Sequence, residues 1–391
     1  MSNRPAVRIA VLILLLSINL RTVFASLPPL LDEVRADLGL SAAAAGLVTT
    51  LPVVLLGALA PVAPRLAERA PIERVLVGCA LLTATGVGLR GAGGVVALFA
   101  GSLLAGAAIA VAQVLVPALI RDRQPDSTGQ LTGAFSAGIT LSAAIAAGLA
   151  VPLQRLLGGS WPAALAAWAL PALVAAAAWL PAAARSHTVV APSPGPALWR
   201  VPLAWSVALF FAMQSMAFYA ALAWLPSILR DSGYDAGPAG ALQALAQAVQ
   251  FVPAFLIPVL AGRSHEQGAL LAAVVGLAAT GLVGLLAAPG AAGVWLVLLG
   301  LGQGGALGLG LMLPVLRGGD VRTVAGLTAM TLCAGYLIAA VGPFLVGAAH
   351  DLAGDWTFPV AVLIAMTAAE LVPGVGAVRD RTVAPAMAAG G

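Results

Sequence analysis

The sequence contains no lysine, and charged residues of every kind make up only 9% of its 391 positions. Soluble globular domains carry about 25% charged residues, so the composition excludes an ordinary soluble protein. Two cysteines, Cys79 and Cys333, lie inside apolar runs, which argues against a disulfide framework. Three scattered histidines, His187, His265 and His350, offer no metal-ligand spacing. Neither a metal nor another cofactor is therefore predicted.

Hydrophobic residues make up 61% of the chain. They form runs of about 20 residues, the length that crosses a bilayer as a helix. The first run is too long for the apolar core of a signal peptide and is interpreted as a span. We predict an all-α membrane protein with twelve transmembrane helices. The predicted spans are roughly 7–31, 41–64, 72–89, 94–120, 129–153, 161–182, 201–229, 237–262, 268–288, 291–316, 323–349 and 356–378.

Arginine is distributed unevenly between the two sides of these predicted spans. Fourteen arginines lie in the N-terminus, the even-numbered loops and the C-terminus, whereas four lie in the other loops. Because cytoplasmic loops carry the excess of positive charge, we predict a multi-pass inner-membrane protein with both termini cytoplasmic. The net charge of +4 is read as this topological signal, and no nucleic-acid partner is predicted.

The two halves of the chain repeat each other. The segment 37–46 matches 231–240 at a spacing of 194 residues, and 157–161 matches 352–356 at a spacing of 195. The longest polar connection lies between the repeats. We therefore predict a six-helix bundle over 1–182, a cytoplasmic linker over 183–200 and a second six-helix bundle over 201–391. Such bundles are related by a pseudo-two-fold axis along the membrane normal, and the substrate binds at their interface.

A single charge interrupts the first predicted span. Arg21 lies far from both ends of that span, where insertion scales put the cost of an arginine at roughly 2.5–3.5 kcal/mol. We interpret Arg21 as the charge around which a substrate cavity is built. The alternative is a structural arginine paired with carbonyls or an acid on a neighbouring helix. Helical spacing places Ser17 and Phe24 on the same face, a combination that suits a compact monoanion.

Other polar and aromatic side chains lie inside later spans. Gln243 and Gln247 form one stripe of span eight, interpreted either as cavity lining or as interhelical hydrogen bonds. Glu370 is the one acid deep in a predicted span, so it is either a proton-coupling residue or a side chain that reaches the interface. Further candidates for substrate binding are Gln113 in span four, Gln214, Phe218 and Tyr219 in span seven, and Tyr336 in span eleven.

The arrangement of six plus six spans, a central linker and a basic loop after span two resembles the major facilitator superfamily. Gly57 in predicted span two is followed by a charged stretch in which Glu68 replaces the aspartate of the family motif. The resemblance implies a charge cluster that latches the cytoplasmic side, and plain positive-inside charge is the alternative. The loop residues assigned to this cluster are Arg65, Glu68, Arg69 and Arg74.

Finer features are similar to the cyanate/2-nitroimidazole permease branch of that superfamily. They include Asn-Leu-Arg at 19–21, Pro-Leu-Leu at 29–31, Thr-Thr-Leu-Pro at 49–52 and Trp-Leu-Pro at 224–226. This resemblance implies a secondary active or facilitative transporter, expected to be monomeric, that moves a small anionic or weakly acidic, cyanate-like solute by alternating access. The alternative is efflux of small neutral aromatic heterocycles of the nitroimidazole type. Because no catalytic motif is found, we do not expect an enzyme.

Overall fold

The computed structural model describes residues 4–40, 42–186, 195–264 and 267–383. Within these ranges the regular secondary structure is helical, and no strand occurs. His187, His265 and most of the predicted linker lie outside the described residues. Short 3-10 helices cover Pro28–Leu30, Pro125–Ser127, Gly195–Arg200 and Pro289–Ala291.

The first half of the chain contains ten α-helices. They are α1 (Arg4–Ser17), α2 (Thr22–Ala25), α3 (Leu31–Leu38), α4 (Ala42–Ala58), α5 (Val62–Ala67), α6 (Ile72–Arg90), α7 (Val95–Arg123), α8 (Thr128–Leu156), α9 (Trp161–Ala167) and α10 (Ala169–Arg185). The second half contains nine. They are α11 (Pro202–Asp231), α12 (Ala236–Val249), α13 (Phe251–Arg263), α14 (Gly268–Ala287), α15 (Ala292–Gly318), α16 (Val321–Ala339), α17 (Gly342–Ala353), α18 (Thr357–Ala369) and α19 (Leu371–Ala377).

Eleven helical stretches of the described residues are long and apolar enough to cross a membrane. They correspond to every predicted span except the second. There α4 is only 17 residues long, and a turn over 59–61 separates it from α5. Pro61 follows this end of α4, and proline lacks the N–H that would continue the helical hydrogen bonds. The all-helical membrane architecture is confirmed, whereas the count of twelve spans stays a prediction.

The first span is not one continuous helix. Its α1 ends at Ser17 and α2 begins at Thr22, with turns between them. Arg21 is the N-cap residue of α2, with φ −122° and ψ −4°. Non-helical backbone at membrane depth is tolerated only where protein buries it or a cavity solvates it. The continuous helix that the spacing of Ser17, Arg21 and Phe24 assumed is therefore interrupted between Ser17 and Arg21.

The two halves meet where α4, α7 and α8 pack against α12, α13, α15 and α16. Small residues bring α8 and α13 close together. A Cβ added at Gly133 would lie 2.5 Å from the carbonyl oxygen of Phe255. The Ser136 hydroxyl donates a hydrogen bond to the carbonyl oxygen of Ala254 at 2.5 Å. Close approach across small residues is the usual way in which helices associate in a bilayer.

This tight contact lies on what we call the arginine-rich side. It is the side on which α7, α10, α13 and α15 end, each with arginine in its last turn. Arg121 reinforces the contact between the halves there. Its Nε and Nη2 donate to the carbonyl oxygen of Gly319 at 3.2 and 2.9 Å. The two halves are therefore joined on the arginine-rich side.

The repeat of the sequence reappears as two arginine clusters on that side. In the first half Arg123 pairs with Glu73, and the Glu73 carboxylate also accepts a hydrogen bond from Ser186 Oγ at 2.6 Å. The equivalent cluster, 194 residues later at each position, consists of Arg317, Gln267 and Asp380. The acid has moved from the start of α6 to the segment after α19. The two halves therefore keep an equivalent three-residue cluster, although the glutamate and serine of the first are replaced by glutamine and aspartate in the second.

Candidate functional site

The Arg21 guanidinium lies at the contact between the two halves. Its Nη1 donates a hydrogen bond to the hydroxyl of Tyr219 in α11 at 2.5 Å, and its Nη2 to the hydroxyl of Tyr336 in α16 at 3.4 Å. The Tyr336 hydroxyl in turn donates to Oε1 of Gln113 in α7 at 3.3 Å. Four predicted site residues from both halves therefore form one hydrogen-bonded group, which we call the Arg21 cluster (Arg21, Gln113, Tyr219 and Tyr336).

Aromatic rings surround this guanidinium. Its Cζ lies 5.9 Å from the ring centroids of both Phe24 and Tyr219, within the range of cation–π attraction. The backbone N–H of Arg21 donates to Ser142 Oγ in α8 at 3.1 Å, which anchors the break in the first span. Among the described residues no carboxylate pairs with Arg21. Within the described part of the chain, hydroxyl groups and aromatic rings are the partners of this charge, and the arginine is 9% exposed.

Ser17 and Gln214 make different contacts. Ser17 is fully buried, and its hydroxyl donates a hydrogen bond to the carbonyl oxygen of Leu14 at 3.1 Å. It also packs against Gly138, because a Cβ added at Gly138 would lie 2.0 Å from the Ser17 hydroxyl oxygen. Gln214 is 3% exposed and accepts a hydrogen bond from the neighbouring Ser215 hydroxyl at 3.3 Å. Neither side chain forms a hydrogen bond with the Arg21 cluster, so their role in substrate binding stays a prediction from the sequence.

A small recess lies within the second half, between α11, α12 and α15. Its polar lining consists of the predicted Gln243 and Gln247 together with Gln303, and Phe218 forms an aromatic wall. The remaining lining is alanine and leucine. The sequence did not point to Gln303, because the glycines on both sides of it indicate helix packing. The recess contains no ionisable side chain, in contrast to the Arg21 cluster.

Glu370 lies at the junction of α18 and α19 and is only 4% exposed. No described residue forms a hydrogen bond or an ion pair with its carboxyl group. Glutamate is almost never fully buried unless it is paired. Of the two predicted roles, this burial argues against a side chain that reaches the membrane interface, and proton coupling stays a prediction.

The charged loop after span two contains the four residues predicted to latch the cytoplasmic side, and that role stays a prediction. Arg65 and Arg69 are exposed, whereas Arg74 donates to the carbonyl oxygens of Ala183 and Ser186 at 3.2 and 3.1 Å. Arg74 thereby holds the end of α10 within the first half. The predicted set also omitted Glu73, the acid of the cluster described above. An acid in the first turn of a helix is a common feature, so its position beside Arg74 gave little signal.

A second buried arginine also escaped prediction. Arg90 ends α6 and is fully buried, with Nη1 donating to the carbonyl oxygen of Val23 at 3.3 Å and to Ser26 Oγ at 3.5 Å. The sequence placed it in an outer loop, because the apolar run ends there. Arg90 instead contacts the α2 segment that Arg21 begins, and so supports the break from within the first half.

Comparisons with known proteins give one consistent result. A family model described as Major Facilitator Superfamily matches residues 9–340. The 2-nitroimidazole transporter of Escherichia coli (strain K12) is 35% identical over 375 residues, which cover 95% of each chain. The uncharacterized transporter YycB of Bacillus subtilis (strain 168) is 36% identical over 95% of this chain and 93% of its own. The cyanate transport protein CynX of Escherichia coli (strain K12) is 31% identical over 88% of this chain and 92% of its own.

Solved structures resemble this one in fold. The proton:xylose symporter XylE superposes with a TM-score of 0.76 at 13% identity, covering 96% of this chain and 97% of its own. The transporter FucP in its outward conformation superposes with a TM-score of 0.70 at 15% identity, covering 95% of this chain and 99% of its own. At these identities the likeness concerns the fold alone.

Proposed function

Since the chain belongs to the major facilitator superfamily, we propose that it moves a small anionic or weakly acidic solute across the cell membrane by alternating access. The observation that carries this proposal is the Arg21 cluster. A guanidinium is held between the two halves of the protein, and among the described residues it has hydroxyl and ring partners but no carboxylate.

The chemistry of this cluster supports an anion. Arginine presents five N–H donors in a planar fork that matches a carboxylate or a similar anion with two parallel hydrogen bonds. Burying a charge without an opposite charge is costly, and an anion bound at Arg21 would offset that cost. Two relatives transport cyanate, which is an anion, and 2-nitroimidazole, which is a weak acid. The solute of this chain is proposed to share that chemical character.

The proposed movement is a rocking of the bundles 1–182 and 201–391 around the site. The tight contact of α8 with α13 and the hydrogen bonds from Arg121 to Gly319 join the halves on the arginine-rich side. Release of solute to that side requires these contacts to open. We propose that this side is cytoplasmic, because positive loops are retained there. Glu370, a buried acid without a partner among the described residues, is the proposed site of proton coupling.

Uptake of radiolabelled cyanate into proteoliposomes tests the proposal. Arg21→Gln removes charge-assisted hydrogen bonds that contribute about 1.5–3 kcal/mol, so we expect affinity for the anion to fall roughly 10- to 150-fold. Arg155→Gln changes an exposed arginine in the last turn of α8, away from the arginine-rich side, and should have no effect. Unchanged uptake by a correctly folded Arg21→Gln protein would remove Arg21 from the mechanism. Equal transport of a neutral nitroheterocycle without an acidic N–H by both proteins would instead support efflux of neutral heterocycles.

A further inference from the structure

Arg90 is a second buried charge whose contacts converge on the segment that carries Arg21. It ends α6 and is fully buried, yet no carboxylate among the described residues pairs with it. Its Nε and Nη2 atoms form no hydrogen bond with any described residue. Charged residues inside a membrane protein are costly and mark functional sites. A neutral side chain could fill the same space without the cost of a buried charge, so packing alone does not account for an arginine here.

The hydrogen bonds from Arg90 hold the far end of α2. This helix is a single turn, Thr22–Ala25, and Arg21 is its N-cap residue. Arg90 Nη1 donates to the carbonyl oxygen of Val23 at 3.3 Å and to Ser26 Oγ at 3.5 Å. The last carbonyl groups of a helix lack partners within the helix, and an unsatisfied carbonyl at membrane depth is costly. Arg90 therefore stabilises the end of this short helix.

The beginning of α2 is held from a different helix. The backbone N–H of Arg21 donates to Ser142 Oγ in α8 at 3.1 Å. A single turn that is hydrogen-bonded at both ends is restrained against tilting and sliding. The direction in which the Arg21 side chain leaves the backbone is therefore fixed within the first half. From there its Nη1 meets the Tyr219 hydroxyl of the second half.

Close packing also fixes the Arg90 side chain. A Cβ added at Gly101 in α7 would lie 2.9 Å from Arg90 Cγ and 3.0 Å from the Arg90 backbone nitrogen. This glycine lets α6 and α7 approach closely, and the stem of Arg90 lies in the space that it leaves. The guanidinium is therefore presented to α2 by a packed helix pair. Rigid elements of this kind hold a site more precisely than loops do.

We infer that Arg90 is a positioning residue for anion binding. By holding the end of α2, it places the Arg21 guanidinium at the hydroxyl groups of Tyr219 and Tyr336. Arg90 acts through Arg21 and does not itself contact the solute. The inference deepens the proposed function and rests on it, because it takes Arg21 as the anion site. Without Arg90 the guanidinium of Arg21 is still present but is displaced from its partners.

Tyrosine NMR signals report the position of Arg21 without any solute. The chain has three tyrosines. The hydroxyl groups of Tyr219 and Tyr336 accept hydrogen bonds from Arg21, whereas Tyr234 donates to backbone carbonyl groups elsewhere and serves as an internal reference. The purified full chain in nanodiscs is labelled with carbon-13 at tyrosine Cζ. We expect Arg90→Gln to move the Tyr219 and Tyr336 signals in the same direction as Arg21→Gln does, and to leave the Tyr234 signal in place.

Arg317→Gln is the matched control for this measurement. Arg317 is also a buried arginine that donates to backbone carbonyl groups, but it does so within the second half. Its loss should lower stability and move no tyrosine signal. Ser26→Ala deletes one oxygen that Arg90 contacts and should move the Tyr219 signal in the same direction by a smaller amount. Unmoved signals in Arg90→Gln, or in Ser26→Ala if Arg90→Gln does not fold, would overturn the inference, as would equal changes in Arg317→Gln.

Uptake of radiolabelled cyanate into proteoliposomes separates the inference from the proposed function. The KM should rise about 10-fold in Arg90→Gln, the lower end of what an outer supporting partner contributes at metal sites, and stay unchanged in Arg317→Gln. Adding Arg90→Gln to Arg21→Gln should cause no further change, because residues that act as one unit are not additive. An additive effect would overturn the inference. Unchanged uptake in Arg21→Gln would overturn the proposed function alone, while the tyrosine signals still decide whether Arg90 positions Arg21.

Discussion

Replacing Gly133 with alanine should separate the two halves of the protein on the arginine-rich side. The new Cβ would lie 2.5 Å from the carbonyl oxygen of Phe255 and 3.3 Å from its Cδ2. The nearer atom belongs to the backbone of α13, so it cannot rotate away. Since native Cβ atoms essentially never approach within 3.0 Å of another heavy atom, α8 and α13 must move apart by at least about 0.5 Å.

The energetic consequence falls on one conformation. Overpacking a close contact costs about 1–3 kcal/mol, and here the cost arises only while α8 and α13 touch. The gain in helix propensity from glycine to alanine, about 0.8–1.0 kcal/mol, applies to both conformations and cancels. The equilibrium should therefore shift roughly 5- to 150-fold toward the conformation that is open on the arginine-rich side.

Distances between paired spin labels measure this shift. The labels replace Asp126 and Arg379, exposed residues of the first and second halves, in a chain without native cysteines. In Gly133→Ala we expect a larger population of long distances than in the parent protein. Gly148→Ala is the matched control, because Gly148 lies on the same helix with no other atom within 4 Å of the added Cβ. Identical distributions for the two folded variants would refute the proposed opening of the α8–α13 contact.

Three further predictions concern titratable groups. Glu73→Gln should reduce the free energy of unfolding by about 1.5 kcal/mol, the low end for a charged hydrogen bond, because its arginine partner is 39% exposed; thermal unfolding of the purified protein measures this. Glu370→Gln should preserve the fold and make uptake insensitive to an imposed proton gradient, and a retained response would exclude Glu370 from coupling. Asp320 lies between two spans. Partial burial acts to raise the pKa of its carboxyl group. Hydrogen bonds from Thr323 and Arg322, together with the Arg322 charge, outweigh this effect and lower the pKa. A carboxyl group whose pKa is lower in the folded than in the unfolded protein stabilises the fold at pH values above its unfolded pKa of about 3.9. This stabilisation is lost as the pH falls through the folded pKa. Asp320→Ala should therefore cost about 1 kcal/mol at pH 7 as a lost helix cap, and in thermal unfolding the difference from wild type should shrink as the pH falls below the unfolded value.

Most of the helical architecture could be predicted from the sequence because a bilayer imposes a length. An apolar run that crosses about 30 Å of hydrocarbon must be a helix of about 20 residues, so composition alone marks such spans. The second span shows the limit of this argument. Its apolar run is long enough, yet Pro61 ends α4 and a separate short helix follows.

The site was predictable where a residue contrasts with its surroundings. Arg21 stands out as one charge in an apolar run, and Tyr219 and Tyr336 stand out as polar aromatics inside spans. Arg90 and Gln303 did not stand out. Arg90 ends its run and reads as a loop residue, although packing turns it inward to contact α2. Gln303 is surrounded by glycines whose packing role is the stronger signal.

By itself the sequence determined the helical membrane architecture, the duplication and the position of the one charge in the middle of a span. These follow from hydrophobicity, spacing and repetition, which are properties of neighbouring residues. Tertiary structure alone decided what that charge contacts. The hydrogen-bond partners of Arg21 lie 121, 198 and 315 residues away along the chain. Which of them reaches the guanidinium depends on how α8, α11 and α16 pack around the break after α1, and no local pattern encodes that packing.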